Sequence, residues 1–110
     1  HGHNAGDEVL VNIAKIIQDN IRSTDTVGRW GGEEFLFILP GLSDDQAFAV
    51  AEKIRSAIAH TEFAMSIHTT ASMGVASYEQ NECEVSIIAR ADKALYEAKR
   101  SGRNKTTLAV

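Results

Sequence analysis

Val27–Trp30 and Phe35–Leu39 are two short strand-like runs, separated by Gly31, Gly32, Glu33 and Glu34 and stopped by Pro40 and Gly41. Runs this close together, with a glycine pair between them, pair with one another as a β-hairpin, since a parallel return needs a connection of a dozen or more residues. The glycines permit positive φ and remove side-chain bulk, so a turn forms and another molecule can approach the backbone closely. The question is why two carboxylates sit between runs that read as buried strand.

The flanking segments read as helices. From Asp7 to about Arg22, Leu10, Ile13, Ala14, Ile17 and Ile21 recur at three and four, and Val9 and Ile16 widen that face. Ser43 to Gln46 has the form of a capping box, followed at helical spacing by Ala47, Val50, Ala51, Ile54 and Ile58. A third helix, roughly Glu84 to Ser101, carries Ile87, Ile88, Ala91, Leu95 and Ala98 on one face, with Arg90, Lys93, Glu97 and Arg100 largely on the other. Gly102 is placed to close it in a left-handed cap, and Thr106 to Val110 can return as an edge strand. Thr69 to Tyr78 reads as a strand, while the link from Thr61 to His68 is ambiguous. Together these elements predict an α+β sandwich, with helices on one or both faces of a mainly antiparallel sheet.

Composition narrows the function classes. With 110 residues, 44% of them hydrophobic, the chain suits one domain with an ordinary core, and it has no long uncharged apolar run that would span a membrane. The formal net charge of -4 argues against a general DNA- or RNA-binding surface while leaving room for a local basic pocket. Cys83, the single cysteine, cannot form an internal disulfide, which suits a reducing compartment; with no signal-peptide pattern visible, the expectation is a cytoplasmic domain without membrane contact of its own.

Two clusters have both a plain and a chemical reading. Glu33 and Glu34 suit a tight turn with its acids in water, and equally a hard divalent cation that bridges to phosphates. Lys99 and Arg103 favour the dipole at a helix C-terminus, and around Gly102 they also form a concave spot for a polyphosphate.

In order and at nearly the same spacing, "GHNAGDEVL", "RSTDTVGRWGGEEFLFILP", "VAEKIRSAI", "ASMGVASY" and "ADKALYEAKRSGRNK" resemble the GGDEF family of diguanylate cyclases over essentially the whole chain. The tetrad differs from the family name only at Glu33, a variant that active members also use. The resemblance implies a ferredoxin-like, nucleotidyl cyclase palm with GGEEF on its hairpin. It also implies a reaction in which two GTP become cyclic di-GMP and two pyrophosphates, with two domains facing each other as a homodimer. Glu33 would ligate Mg²⁺ (or Mn²⁺) and accept the 3′-hydroxyl proton, and Glu34 would support the metal and the local charge. Gly31 and Gly32 would let the turn lie against the nucleotide. Asp7 would accept from the guanine edge, and Lys99 and Arg103 would hold the β- and γ-phosphates. His3 would either contact the nucleotide or pack the start of the first helix. Arg22 and Asp25 are either an ordinary surface ion pair or, standing at the family's product-inhibition site, an arginine that would stack on guanine and pair with phosphate beside an aspartate that would accept from the guanine edge, a site that Lys53 would join.

The family's first strand carries a metal aspartate, a lysine and an asparagine, and these 110 residues hold none of them. The expectation is therefore a GGDEF domain over residues 1–110, truncated at its N-terminal end and not self-sufficient as an enzyme. Two other readings stand beside the cyclase: a catalytically silent module that binds cyclic di-GMP or GTP, and a dimerisation domain without a ligand.

Overall fold

The computed structural model describes residues 5–31, 34–61, 69–77 and 82–109. In chain order the elements are α1 (Ala5–Gln18), β1 (Thr26–Gly31), β2 (Glu34–Ile38), α2 (Asp44–Ala59), β3 (Ser72–Ala76), α3 (Glu84–Arg100) and β4 (Thr106–Leu108). The four strands form one sheet in the order β1-β2-β3-β4. Among the described residues no helix is long and apolar enough to cross a membrane.

The hairpin forms as its sequence requires. β1 and β2 are antiparallel, with Thr26 opposite Ile38 and Gly31 opposite Glu34, and the register shifts between Arg29 and Gly31 as in a β-bulge. Beyond the hairpin the expectation of a mainly antiparallel sheet is not met: β2–β3 and β3–β4 are both parallel among the described residues. The reason is connectivity. α2 and α3 are crossover helices, each returning the chain to the end of the sheet where the preceding strand began.

Alternation along the strands assigns the two faces. Phe35, Phe37, Met73 and Val75 point into a core shared with Val9, Ile13 and Ile17 of α1 and Ala47, Ala51, Ile54 and Ile58 of α2. Leu36 and Ala76 point to the opposite side, against Ile87, Ala91, Ala94 and Leu95 of α3. Helices thus cover both faces. Ile54, Ile58 and Phe37 are fully buried, and each such side chain contributes roughly 1.5–3 kcal/mol by leaving water.

Local signals explain most boundaries. At the start of α2 the Gln46 backbone N–H donates to Ser43 Oγ at 3.2 Å, and the Ser43 backbone N–H donates to Gln46 Oε1 at 3.0 Å, completing the capping box. α1 stops at Gln18, short of the expected Arg22, because the chain tightens (Asn20 N–H to Ile17 O, 3.0 Å) and the Asn20 side-chain amide donates to Ile16 O at 2.7 Å. Leu10 and Ile16 are half-buried and Ala14 is exposed, so the stripe of α1 that meets the core is Val9, Ile13 and Ile17. Ile88, expected on the apolar face of α3, is 41% exposed, and Ala94 takes the inward position with Ala91 and Leu95. Residues 62–68, which include most of the ambiguous link, lie outside the described residues.

α3 approaches the sheet closely at Gly74. A Cβ added there would lie 2.2 Å from the Ala91 carbonyl oxygen and 2.6 Å from the Leu95 nitrogen. Both are backbone atoms that cannot swing aside, so Gly74→Ala should cost at least about 1–3 kcal/mol, as overpacking does in other cores. For a domain of this size that lowers the thermal midpoint by several degrees or more; an unchanged midpoint in a calorimetric scan would contradict the close approach.

Candidate functional site

Glu34, Leu36 and Ile38 share the α3 face of β2 by strand alternation. On α3, Ala91, Leu95 and Lys99 follow one another at four-residue spacing, so Lys99 ends the buried stripe beside the hairpin. Its Nζ donates to Glu34 Oε1 at 3.2 Å, with side-chain exposures of 31% for Lys99 and 22% for Glu34. Arg103 Nη1 lies 3.9 Å from Glu34 Oε2, so two cations flank one carboxylate.

The turn after α3 brings Arg103 there. The Arg103 N–H donates to Ala98 O at 3.1 Å and the Gly102 N–H to Lys99 O at 3.4 Å, the pair of bonds that defines a Schellman motif. Gly102 has φ +113°, followed by Arg103 at +62° and Asn104 at +46°. Without glycine at 102, the reversal that folds Arg103 back over the helix end would be strained.

Beside this cluster lies a cleft of about 320 Å³ lined by Glu34, Asp92, Lys93, Leu95, Tyr96 and Lys99. Asp92 and Tyr96 were not singled out from the sequence. The available signal was their spacing, seven and three residues before Lys99 on the same side of α3. A larger groove of about 630 Å³ lies between α1 and the hairpin, but its lining is mostly apolar, including Ile13, Ile17, Val27 and Phe35. Polyphosphate chemistry needs clustered cations, and these stand at the smaller cleft.

Arg22 and Asp25 come together on the loop between α1 and β1. Arg22 Nη2 donates to Asp25 Oδ1 at 2.6 Å and to Pro40 O at 2.6 Å, and the Arg22 backbone N–H donates to Asp25 Oδ2 at 2.8 Å. Asp25 is 2% exposed at its side chain and Arg22 47%. Burial pushes the Asp25 carboxyl up, but the hydrogen bonds from the Arg22 side chain and backbone, with the attraction of its charge, together outweigh that and hold it below the usual carboxylate range. Lys53 is exposed on α2, and among the described residues no hydrogen bond or ion pair joins it to Arg22 or Asp25.

Thus Glu34, Lys99 and Arg103 stand together, and Arg22 pairs with Asp25. Gly31 closes the hairpin opposite Glu34. His3, Gly32 and Glu33 lie outside the described residues, as does the side chain of Asp7, which belongs to the first turn of α1. The Glu34 carboxylate is a hard oxygen donor of the kind Mg²⁺ takes, although no group of three or more His, Cys, Asp or Glu stands together among the described residues.

A parallel-and-hairpin sheet covered by helices on both faces, with an acid flanked by cations at the hairpin end, defines an α/β fold of the nucleotidyl cyclase palm type. The family model "Diguanylate cyclase, GGDEF domain" matches residues 1–105, and the chain belongs to that family. It is 47% identical to diguanylate cyclase A of Treponema denticola, over 98% of this chain but 30% of that protein. The chain therefore spans less than a third of that curated relative's length. Among solved structures it resembles the active GGEEF domain of a diguanylate cyclase from Vibrio cholerae (TM-score 0.79, 36% identity, 99% of this chain and 71% of that one). It also resembles the GGDEF domain of DgcB from Caulobacter crescentus in complex with cyclic di-GMP (TM-score 0.79, 30% identity, 98% and 67%).

Because the Asp25 pKa is lower in the folded chain than the ordinary value of 3.8, its contribution to stability is complete above that value. It is lost as pH falls through the depressed one. Asp25→Asn should therefore lower the thermal midpoint at pH 7 and shrink the difference from wild type as the pH is taken below 3.8. A midpoint difference that stays constant from pH 7 to pH 2 would contradict the Arg22–Asp25 ion pair.

Proposed function

We propose that the chain is a diguanylate cyclase domain, condensing two GTP into cyclic di-GMP. The observation that carries this reading is the convergence of Lys99 and Arg103 on Glu34 at the hairpin end; membership of the diguanylate cyclase family supports it.

Each 3′-hydroxyl oxygen bonds to the α-phosphorus of the other GTP as the bond to the pyrophosphate oxygen breaks, and the hydroxyl proton is taken up by a carboxylate, for which Glu33 is the candidate. Two domains must face each other as a homodimer for both bonds to form. Lys99 and Arg103 hold the β- and γ-phosphates and offset the charge that builds on the leaving group, the main protein contribution to phosphoryl chemistry. Gly31 and Gly32 let the hairpin backbone lie against the nucleotide. Asp7, and His3 on the same segment, belong to the guanine side; an acceptor facing the N1 and N2 donors rejects adenine. Glu33 and Glu34 would hold a divalent cation, Mg²⁺ or Mn²⁺, which when bound polarises phosphate oxygens. The domain works in the cytoplasm and needs neither nucleic acid nor a membrane surface.

Arg22 and Asp25, with Lys53, form the proposed product site. Support comes from the partial exposure of the Arg22 side chain and from the DgcB relative, solved with cyclic di-GMP.

Incubating the protein that carries this domain with GTP and Mg²⁺, and identifying products by mass spectrometry, tests the reaction. Wild type should yield cyclic di-GMP and Glu33→Ala at least about a hundredfold less, the usual loss of a general base. Absence of product from both would leave a nucleotide-binding module instead. Arg22→Ala should raise the cyclic di-GMP concentration for half-inhibition about tenfold, one charge-assisted contact's worth, with inhibition normalised to each variant's own initial rate. Identical inhibition curves would remove the product site from this loop.

A further inference from the structure

The turn that presents Arg103 is held from a second helix. On α2, Arg55 makes a two-pronged pair with Glu52, Nε to Oε1 and Nη2 to Oε2, both at 2.7 Å. Its remaining arm reaches across to the turn after α3, where Nη1 donates to Asn104 Oδ1 at 2.6 Å. The Arg55 side chain is 16% exposed, so this fork is largely withdrawn from water. Asn104 follows Arg103 directly, and both have left-handed φ values of +46° and +62°. Asparagine tolerates that region, whereas an arginine enters it only when the surroundings hold it there.

Three anchors hold the turn. The Schellman bonds fix its start, Arg55 fixes Asn104, and the Met73 N–H donates to Lys105 O at 2.8 Å to fix its end. Removing the middle anchor leaves Arg103 on a stretch free to leave the left-handed region, and its side chain, 59% exposed, has among the described residues no ion pair or hydrogen bond other than that to Glu34 to keep it at the cleft. Lys99, by contrast, sits on α3 itself and does not depend on the turn.

We infer that Arg55, acting through Asn104, is a positioning residue for Arg103 and so sets how tightly the site holds the terminal phosphates of a nucleoside triphosphate. The inference rests on the GTP reading above. It assigns to the Glu52–Arg55 pair, which would otherwise pass for a surface ion pair on a helix, a part in discriminating triphosphate from monophosphate.

A double-mutant cycle on the protein that carries this domain tests it, with GTP and GMP affinities measured by calorimetry at fixed Mg²⁺. Arg55→Ala should weaken GTP binding about tenfold, the loss of one charge-assisted contact, and leave GMP binding unchanged, since GMP has no β- or γ-phosphate. Asn104→Gly keeps a residue at home in the left-handed region while removing the side-chain acceptor and leaving only the long 3.5 Å approach of Arg55 Nη1 to the backbone carbonyl, so it should give the same loss even if Arg55→Ala folds poorly. Arg55→Lys should restore GTP binding only in part. In an Arg103→Ala background neither change should weaken GTP binding further. Wild-type GTP affinity in both Arg55→Ala and Asn104→Gly, a loss that is additive with Arg103→Ala, or an equal loss for GMP, overturns the positioning role while leaving the GTP site standing. GTP binding that does not depend on Arg103 at all overturns both.

Discussion

The distance between α3 and the sheet is set at Gly74, where the Ala91 carbonyl and the Leu95 backbone leave no room for a side chain. That contact has consequences along the whole helix. With Ala91, Ala94 and Ala98 all buried, α3 lies low enough on β2 and β3 for a lysine one turn beyond Leu95 to reach a carboxylate on β2. A helix standing off by the width of a leucine would leave Lys99 short of Glu34. The Schellman turn would then start from a different height, and Arg103 would no longer converge on the same acid. The small residues of α3 and the cations at its end are thus parts of one arrangement.

Three arginines tie the loops around this frame. Arg22 links the α1–β1 loop to the Pro40 carbonyl at the end of β2. Arg55 links α2 to the turn before β4. Arg90 pairs with Glu82 (Nε to Oε2, 2.6 Å) and donates to Ser77 O at 2.8 Å, joining α3 to the residue that follows β3. In each case the planar fork contacts a carboxylate and a chain segment distant in sequence, which a lysine ammonium could not do with the same geometry.

What could be read beforehand follows from the range of each interaction. The hairpin, the Ser43–Gln46 cap and the glycine after α3 depend on residues within a turn of one another, so their patterns stand in the sequence and reappear in the fold. The faces of α2 were legible because Ala47, Ala51, Ile54 and Ile58 repeat regularly. The parallel pairing of β2 with β3 was not, since strand direction depends on which end of the sheet a crossover returns to and not on the strands' own composition. Ile88 misled because it neighbours Ile87, and a rotation of about 100° about the helix axis separates the isoleucine that faces in from the one that does not. Of the candidate site, the family motifs named Glu34, Lys99 and Arg103. The Arg55–Asn104 bond had no local signature, because it joins residues 49 apart in the chain.

The pairing of Glu34 with both Lys99 and Arg103 bears on how the site responds to its surroundings. The carboxylate acts as a built-in counter-ion: it lets two positive groups sit side by side in the folded chain without repelling each other. An arriving anion meets partners already engaged, so its affinity reflects an exchange of one negative group for another. Such an exchange depends on how many charges the newcomer brings, and it favours a polyanion over a chloride or a single phosphate at the same ionic strength.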